Sequence, residues 1–155
     1  MSIIKAIKNK YSIALPLQTW ENTLFGKVSE LLSPDGLHFS IITPKKLPEE
    51  GGVYLITDCR NDKNEIPYYI GRTKNIRRRI YTNHLMGSPS NARLKKYLIN
   101  DSAHEWIKDK DSAKQFIREN CRVRWILEDD FKMRGYFEGY LTGLLKPQFG
   151  IYEEH

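Results

Sequence analysis

The sequence predicts an α+β domain: a small, mostly antiparallel three-stranded sheet flanked by helices, with a short N-terminal extension. Two β-branched and aromatic runs, residues 52–57 and 67–70, flank a stretch rich in Asn, Asp and Lys, the pattern of a β-hairpin. A third run, residues 122–127, alternates Val123, Trp125 and Leu127 with Arg122, Arg124 and Ile126, as a half-buried strand does. Helical spacing fills the segments around them. A hairpin plus one later strand gives one layered core, not a doubly wound sheet.

Taken in order, residues 1–46 carry the weakest pattern and form the extension, and residues 47–155 form the main domain. Within the extension, apolar residues at 17, 20, 24, 28, 31 and 32 have helical spacing, and Ser33-Pro34-Asp35-Gly36 stops that helix with turn residues. Residues 37–42 suit a short strand, and the Pro- and Gly-marked stretch 44–52 is a connector. After the hairpin, closed by Gly71, Asn75 is placed to cap a helix that runs to about Leu85. Gly87-Ser88-Pro89-Ser90 breaks it. A second helix follows over 91–99 with Leu94, Tyr97 and Leu98 as its buried stripe, and a third over 112–120. Asp130 caps a last helix over 131–145, which Lys146-Pro147 ends.

The 155 residues (18.2 kDa) amount to one domain, large enough to fold on its own core without a staple. No apolar run approaches the roughly 20 residues that a membrane span needs, and the lysine-interrupted N-terminus lacks the apolar core of a signal peptide. Cys59 and Cys121 form no CxxC pair, so zinc-ribbon and redox motifs are excluded and reduced thiols in a cytoplasmic protein are expected.

The net charge of +6 decides little by itself, but its position does. Residues 66–100 contain no acid and eight cations: Arg72, Lys74, Arg77, Arg78, Arg79, Arg93, Lys95 and Lys96. That window is +8, which against the net +6 leaves the rest of the chain at −2. Solvated helix faces interleave both signs because like charges one turn apart repel. A one-signed window therefore calls for an external polyanion, and nucleic acid is the expected partner.

Gly52-Val53-Tyr54 and Tyr69-Ile70-Gly71 stand 15 residues apart from tyrosine to tyrosine, and Arg72-Thr73-Lys74-Asn75-Ile76-Arg77-Arg78-Arg79 follows directly. With Glu138 in a late helix and Leu144-Leu145-Lys146-Pro147 after it, this set resembles the GIY-YIG nucleases over about residues 47–150. That family includes homing endonucleases, some restriction enzymes and the incision nuclease of bacterial excision repair. The resemblance implies a divalent-metal-dependent endonuclease that hydrolyses DNA phosphodiester bonds. It makes Tyr54 the general base or the orienter of the attacking water. Tyr69 would contact the scissile phosphate or the water, and Arg79 would stabilise the pentavalent phosphate. Glu138 would hold one metal ion, Mg²⁺ with Mn²⁺ as a substitute, since one carboxylate with waters and phosphate oxygens is ordinary Mg²⁺ ligation. The other seven cations of the window would bind nucleic acid. DNA is the expected partner, nothing in the residues rules against RNA, and no membrane is implied.

A phenol has a reference pKa near 10, too high for a base at neutral pH. The five cations between residues 72 and 79 are expected to pull Tyr54 toward phenolate. Members often carry His or Tyr four residues after the motif arginine. Here Asn83 occupies that position and His84 follows. On an ideal helix His84 lies about 140° from Arg79, so it joins the site only where the helix is irregular. Tyr81 and Lys74 are further candidates. Gly135, Gly139 and Gly143 recur every four residues, and each costs about 1 kcal/mol relative to alanine. They are expected to make room beside Glu138. Gly150 stands where members commonly carry Asn, which leaves a binding-only module as the alternative. Trp20, Lys27, Trp106 and Lys108 are the possible contacts outside the motifs, with burial the stronger expectation for both tryptophans.

Overall fold

A computed structural model describes residues 2–33 and 35–150; Pro34 of the expected turn lies outside the described residues. Helices α1 (Ile3–Lys10) and α2 (Thr19–Leu32) precede a two-residue strand β1 (Leu37–His38). The hairpin is β2 (Gly52–Asp58) and β3 (Ile66–Thr73), and a π-helical segment, Arg78–Leu85, follows. Helices α3 (Arg93–Ile99) and α4 (Lys110–Asn120), strand β4 (Cys121–Leu127) and helix α5 (Phe131–Leu145) complete the order. The sheet runs β1-β4-β2-β3 with every pair antiparallel. It has four strands among the described residues where three were expected, because Leu37 and His38 pair with Val123 and Arg122. Helix α2 thus packs into the core and the short strand joins the sheet, while α1 buries none of its residues.

Strand β2 is central and buried along its whole length, because both faces of the sheet are covered. Alternation sends Tyr54 and Ile56 to one side, against Ile76, Ile80 and Leu85 of the segment after the hairpin, Leu94 and Leu98 of α3, and Phe116 and Ile117 of α4. It sends Val53 and Leu55 to the other side, against Leu24, Val28 and Leu31 of α2 and Phe137 and Leu141 of α5. Two covered faces also explain β4. Val123 and Ile126 are buried on opposite sides, and Leu127, grouped with the buried set in the sequence pattern, is exposed.

Three local features set the site. Gly52 lies against the β4 backbone: a Cβ there would sit 2.0 Å from the Ile126 carbonyl oxygen, so only glycine permits this pairing. A β-bulge falls where Ile56 pairs with Tyr69 but Thr57 pairs with Pro67. The unpaired Tyr68 and its neighbour Tyr69 therefore both enter the same core cluster. After α5, Lys146 turns the chain at φ 49°, and the amides of Gln148 and Phe149 donate to the carbonyls of Pro67 and Tyr68. The tail is thereby fastened along β3. Helix α4 starts two residues earlier than expected, because Asp109 and Ser112 form a capping box. Trp106, expected to be buried, is exposed and packs edge-on with His104 and at a tilt against Phe116.

Candidate active site

Tyr54, Tyr69, Arg79 and Glu138 line one cleft of about 550 Å³. Its rim adds Arg72 and Arg93, with Ser90 and Asn91 on one wall, Thr142 beside Glu138, and Phe149 and Gly150 from the tail. Glu138 is the only acidic side chain in that lining among the described residues. Helix α5 supplies it from the opposite sheet face, while the tyrosines and Arg79 come from the hairpin and the π-helical segment.

Tyr54 is held on every side. It pairs with Gly71 across β2 and β3, and its ring lies directly over that glycine. A Cβ on Gly71 would meet the Tyr54 Oη at 2.3 Å and Cζ at 2.5 Å. The glycine of the second motif is therefore the seat of the tyrosine of the first. The Tyr54 and Tyr69 rings stack with centroids 6.2 Å apart, and the His84 ring meets both edge-on. Arg79 Nε donates to Tyr54 Oη at 3.1 Å, and its Nη1 donates to the Asn91 carbonyl at 3.2 Å.

The π-helical segment settles the choice between Asn83 and His84. A π-helix closes its hydrogen bonds at i→i+5 instead of i→i+4, and its wider turn brings position i+5 round toward position i. Arg79 and His84 therefore share a face, and His84 Nε2 lies 2.8 Å from Tyr54 Oη. His84 is fully buried; burial, and then Arg79 and Lys95, hold its pKa well below the usual histidine value, so the ring is neutral. Its Nδ1 is buried without a hydrogen-bond partner. A proton there would be an orphaned donor, the costlier error, so we assign the proton to Nε2, donating to Tyr54. The Tyr54 oxygen then receives two donors, and its own proton points elsewhere.

The expected phenolate is corrected. Burial raises the Tyr54 pKa, Tyr69 adds to the rise, and the opposing pull of Arg79 does not overcome them. Of the five nearby cations only Arg79 reaches the phenol. Arg77 donates to the Leu47 carbonyl and to Glu49, Arg78 is exposed away from the cleft, and Arg72 turns to Glu138 at 4.0 Å. Lys74 lies in a neighbouring groove and not in the cleft. Tyr81 packs on the core without entering the lining.

Lys95 is a second correction, since it is buried and cannot be a surface contact to nucleic acid. Its Nζ donates to the carbonyls of Leu85 at 2.5 Å and Gly87 at 2.7 Å, closing the C-terminal end of the π-helical segment. Burial lowers its pKa to about 8, with Lys110 and Lys114 contributing. Arg72 and Arg93 do line the cleft, and Lys96 is exposed on α3 outside it.

Glu138 does not pair with Arg134 one turn before it. Arg134 is buried and donates instead to the carbonyls of Glu128 and Asp129. Burial raises the Glu138 pKa, and Arg72 opposes that rise. Among the described residues no group of three or more His, Cys, Asp or Glu side chains could cage a metal. A partly desolvated carboxylate in the wall of an open cleft fits the other arrangement, one protein ligand completed by water and substrate oxygens.

The expected glycine stripe divides. A Cβ on Gly135 would lie 2.4 Å from Arg72 Nη1, so this glycine lets the guanidinium cross α5. A Cβ on Gly139 or Gly143 would meet nothing within 4 Å. Neither makes room for any described side chain. Gly139→Ala is accordingly expected to stabilise the protein by roughly 0.5–1 kcal/mol, read as a rise in thermal midpoint. Sequence reading missed Ser90, Asn91 and Thr142. Thr142 alone had a signal, lying one helical turn after Glu138.

Residues 50–125 match the family described as the GIY-YIG catalytic domain. No curated protein sequence matches the chain. Among solved structures, the chain is similar to the GIY-YIG N-terminal endonuclease domain of UvrC from Thermotoga maritima bound to its catalytic divalent cation, magnesium. That match has 18% identity and a TM-score of 0.37, over 70% of this chain and 96% of that one. Two point mutants of the same domain, each with a tyrosine replaced by phenylalanine and each bound to the catalytic divalent cation, match at 18% and 17% identity. Both have a TM-score of 0.37, over 70% of this chain and 94% of theirs.

Proposed function

Residues 50–125 belong to the GIY-YIG catalytic-domain family, and from that premise we propose that the chain is a divalent-metal-dependent endonuclease that hydrolyses DNA phosphodiester bonds. One observation carries the reading: Tyr54, Tyr69, Arg79 and Glu138, drawn from four separate stretches, line a single cleft whose rim is cationic.

Hydrolysis needs a proton acceptor for water, a counter-charge for the pentavalent phosphate and relief for the leaving oxygen. Tyr54 is the acceptor. Its phenol is protonated at rest because it is buried, and the small phenolate fraction is steadied by the N–H groups of Arg79 and His84. His84 acts through Tyr54 and is a positioning residue. Tyr69, stacked on Tyr54, orients the water or a phosphate oxygen. Arg79 presents a planar, permanently charged guanidinium to the phosphate. Arg72 and Arg93 hold the flanking backbone at the two edges of the cleft. Glu138 would hold Mg²⁺ or Mn²⁺, and a metal ion bound there supplies Lewis-acid stabilisation of the phosphate and the 3′ leaving oxygen.

The pH dependence follows from the sign of the Tyr54 shift. With its pKa raised, the phenolate fraction grows about tenfold per pH unit throughout the neutral range. Single-turnover cleavage is expected to rise with that slope between about pH 6 and 8. Tyr54→Phe is expected to lose about 10²–10⁴-fold in rate and to lose the slope. A pH-independent rate in the wild type, or an unchanged profile in Tyr54→Phe, overturns the assignment of the base.

Gly150, in the cleft lining where the family commonly carries Asn, favours one second reading, a module that binds nucleic acid without cutting it. That reading predicts salt-sensitive binding and no nicking.

A further inference from the structure

We propose that the groove beside the cleft, between the end of β3 and the first turns of α5, is a stacking site for unpaired bases. The substrate is then a nucleic acid with a single-stranded segment next to the scissile phosphate. This rests on the nuclease reading above. The groove, about 560 Å³, is lined by Arg72, Thr73, Lys74, Phe131, Lys132, Arg134, Gly135 and Tyr136. Among the described residues no acidic side chain lines it. Of the neighbouring acids, Glu128 pairs with Lys27 and Asp130 caps α5, while Asp129 is exposed outside the lining.

Two aromatic rings stand open there, Phe131 at 68% and Tyr136 at 59% exposure. Tyr136 is braced edge-on by Trp20, with centroids 5.9 Å apart, which orders the ring without covering it. Lys74 and Lys132 are exposed on either side, and no ion pair engages them among the described residues. Open rings interleaved with unpaired cations are the elements of single-strand binding: the cations follow the phosphates and the rings stack the bases. A duplex keeps its bases stacked internally and offers mainly phosphates, which would leave both rings unused.

The groove is continuous with the cleft. Arg72 lines both, and it crosses between them over Gly135, whose missing side chain leaves space for the guanidinium. A strand whose phosphate sits at Arg79 and Glu138 can pass Arg72 and lay its next bases on Tyr136 and Phe131.

The test is fluorescence anisotropy in EDTA, so that nothing is cut, with labelled oligothymidylate and a duplex of equal length. Phe131→Ala/Tyr136→Ala is expected to bind the single strand at least about fivefold more weakly and the duplex within about twofold of wild type. Equal loss on both probes, or no loss on either, overturns the proposal. Should the double variant melt early, Phe131→Ala alone carries the test, because its ring is the more exposed and supports no other aromatic. Plasmid nicking by the wild type, run in parallel with Mg²⁺, separates the two readings. Cleavage with unaltered single-strand binding in the variant overturns the groove and leaves the nuclease. Ring-dependent binding without cleavage supports the groove and overturns the nuclease.

Discussion

Glu138→Gln is expected to abolish cleavage, by about 10³-fold or more, while leaving the fold and nucleic-acid binding intact. The amide keeps the size and position of the side chain and removes its charge. Structurally the change is mild. The Arg72–Glu138 pair is 4.0 Å apart, with both side chains partly exposed, so its loss should alter stability by no more than about 0.5 kcal/mol. Catalytically it is severe, since Glu138 is the only acid in the cleft lining among the described residues. A metal contributes several kcal/mol to transition-state stabilisation, and about 4 kcal/mol corresponds to 10³ in rate. Binding measured by anisotropy should hold steady or tighten slightly, because a negative charge leaves a cationic cleft. Full activity in the variant would remove Glu138 from the chemistry.

Gly71→Ala is expected to damage both stability and activity. The new methyl would lie 2.3 Å from the Tyr54 hydroxyl oxygen and 2.5 Å from Cζ, well inside contact distance. Tyr54 is fully buried and held by Tyr69, His84 and Arg79, so its ring can escape the clash only by leaving these partners. Overpacking of this kind costs about 1–3 kcal/mol. Displacing Tyr54 by about 1 Å parts its oxygen from two donors, and a shift of that size in a reacting group lowers rate by about 10². A thermal melt and a single-turnover rate measure the two losses. An alanine variant with wild-type melting and wild-type cleavage would contradict the seating of Tyr54 on this residue.

The hairpin, the third strand and α5 were legible because their signals are local. Alternation, an Asn- and Asp-rich loop and an Asp N-cap need no tertiary context. Strand β1 was harder to read, since two residues carry too little pattern and its pairing with β4 is a long-range event. The site was legible where motifs name residues, at Tyr54, Tyr69, Arg79 and Glu138. It stayed open where the helix geometry decides. His84 reaches Tyr54 only because the segment is wound as a π-helix, and that winding is stabilised partly by Lys95, buried at its end. A cation counted as a surface charge in a one-dimensional tally was thus a helix cap. The same tally overstated the field at Tyr54. Charges close in sequence pointed to Glu49, Glu138 and solvent, and burial prevailed over the one that remained.

The most direct measurement is nicking of supercoiled plasmid by the wild type with Mg²⁺ and with EDTA, beside Glu138→Gln. Nicked circles in the wild-type reaction with Mg²⁺, and none with EDTA or with the variant, are the predicted result. Equal nicking in EDTA, or no nicking by the wild type with any divalent cation, would contradict the assignment of this cleft to metal-dependent phosphodiester hydrolysis.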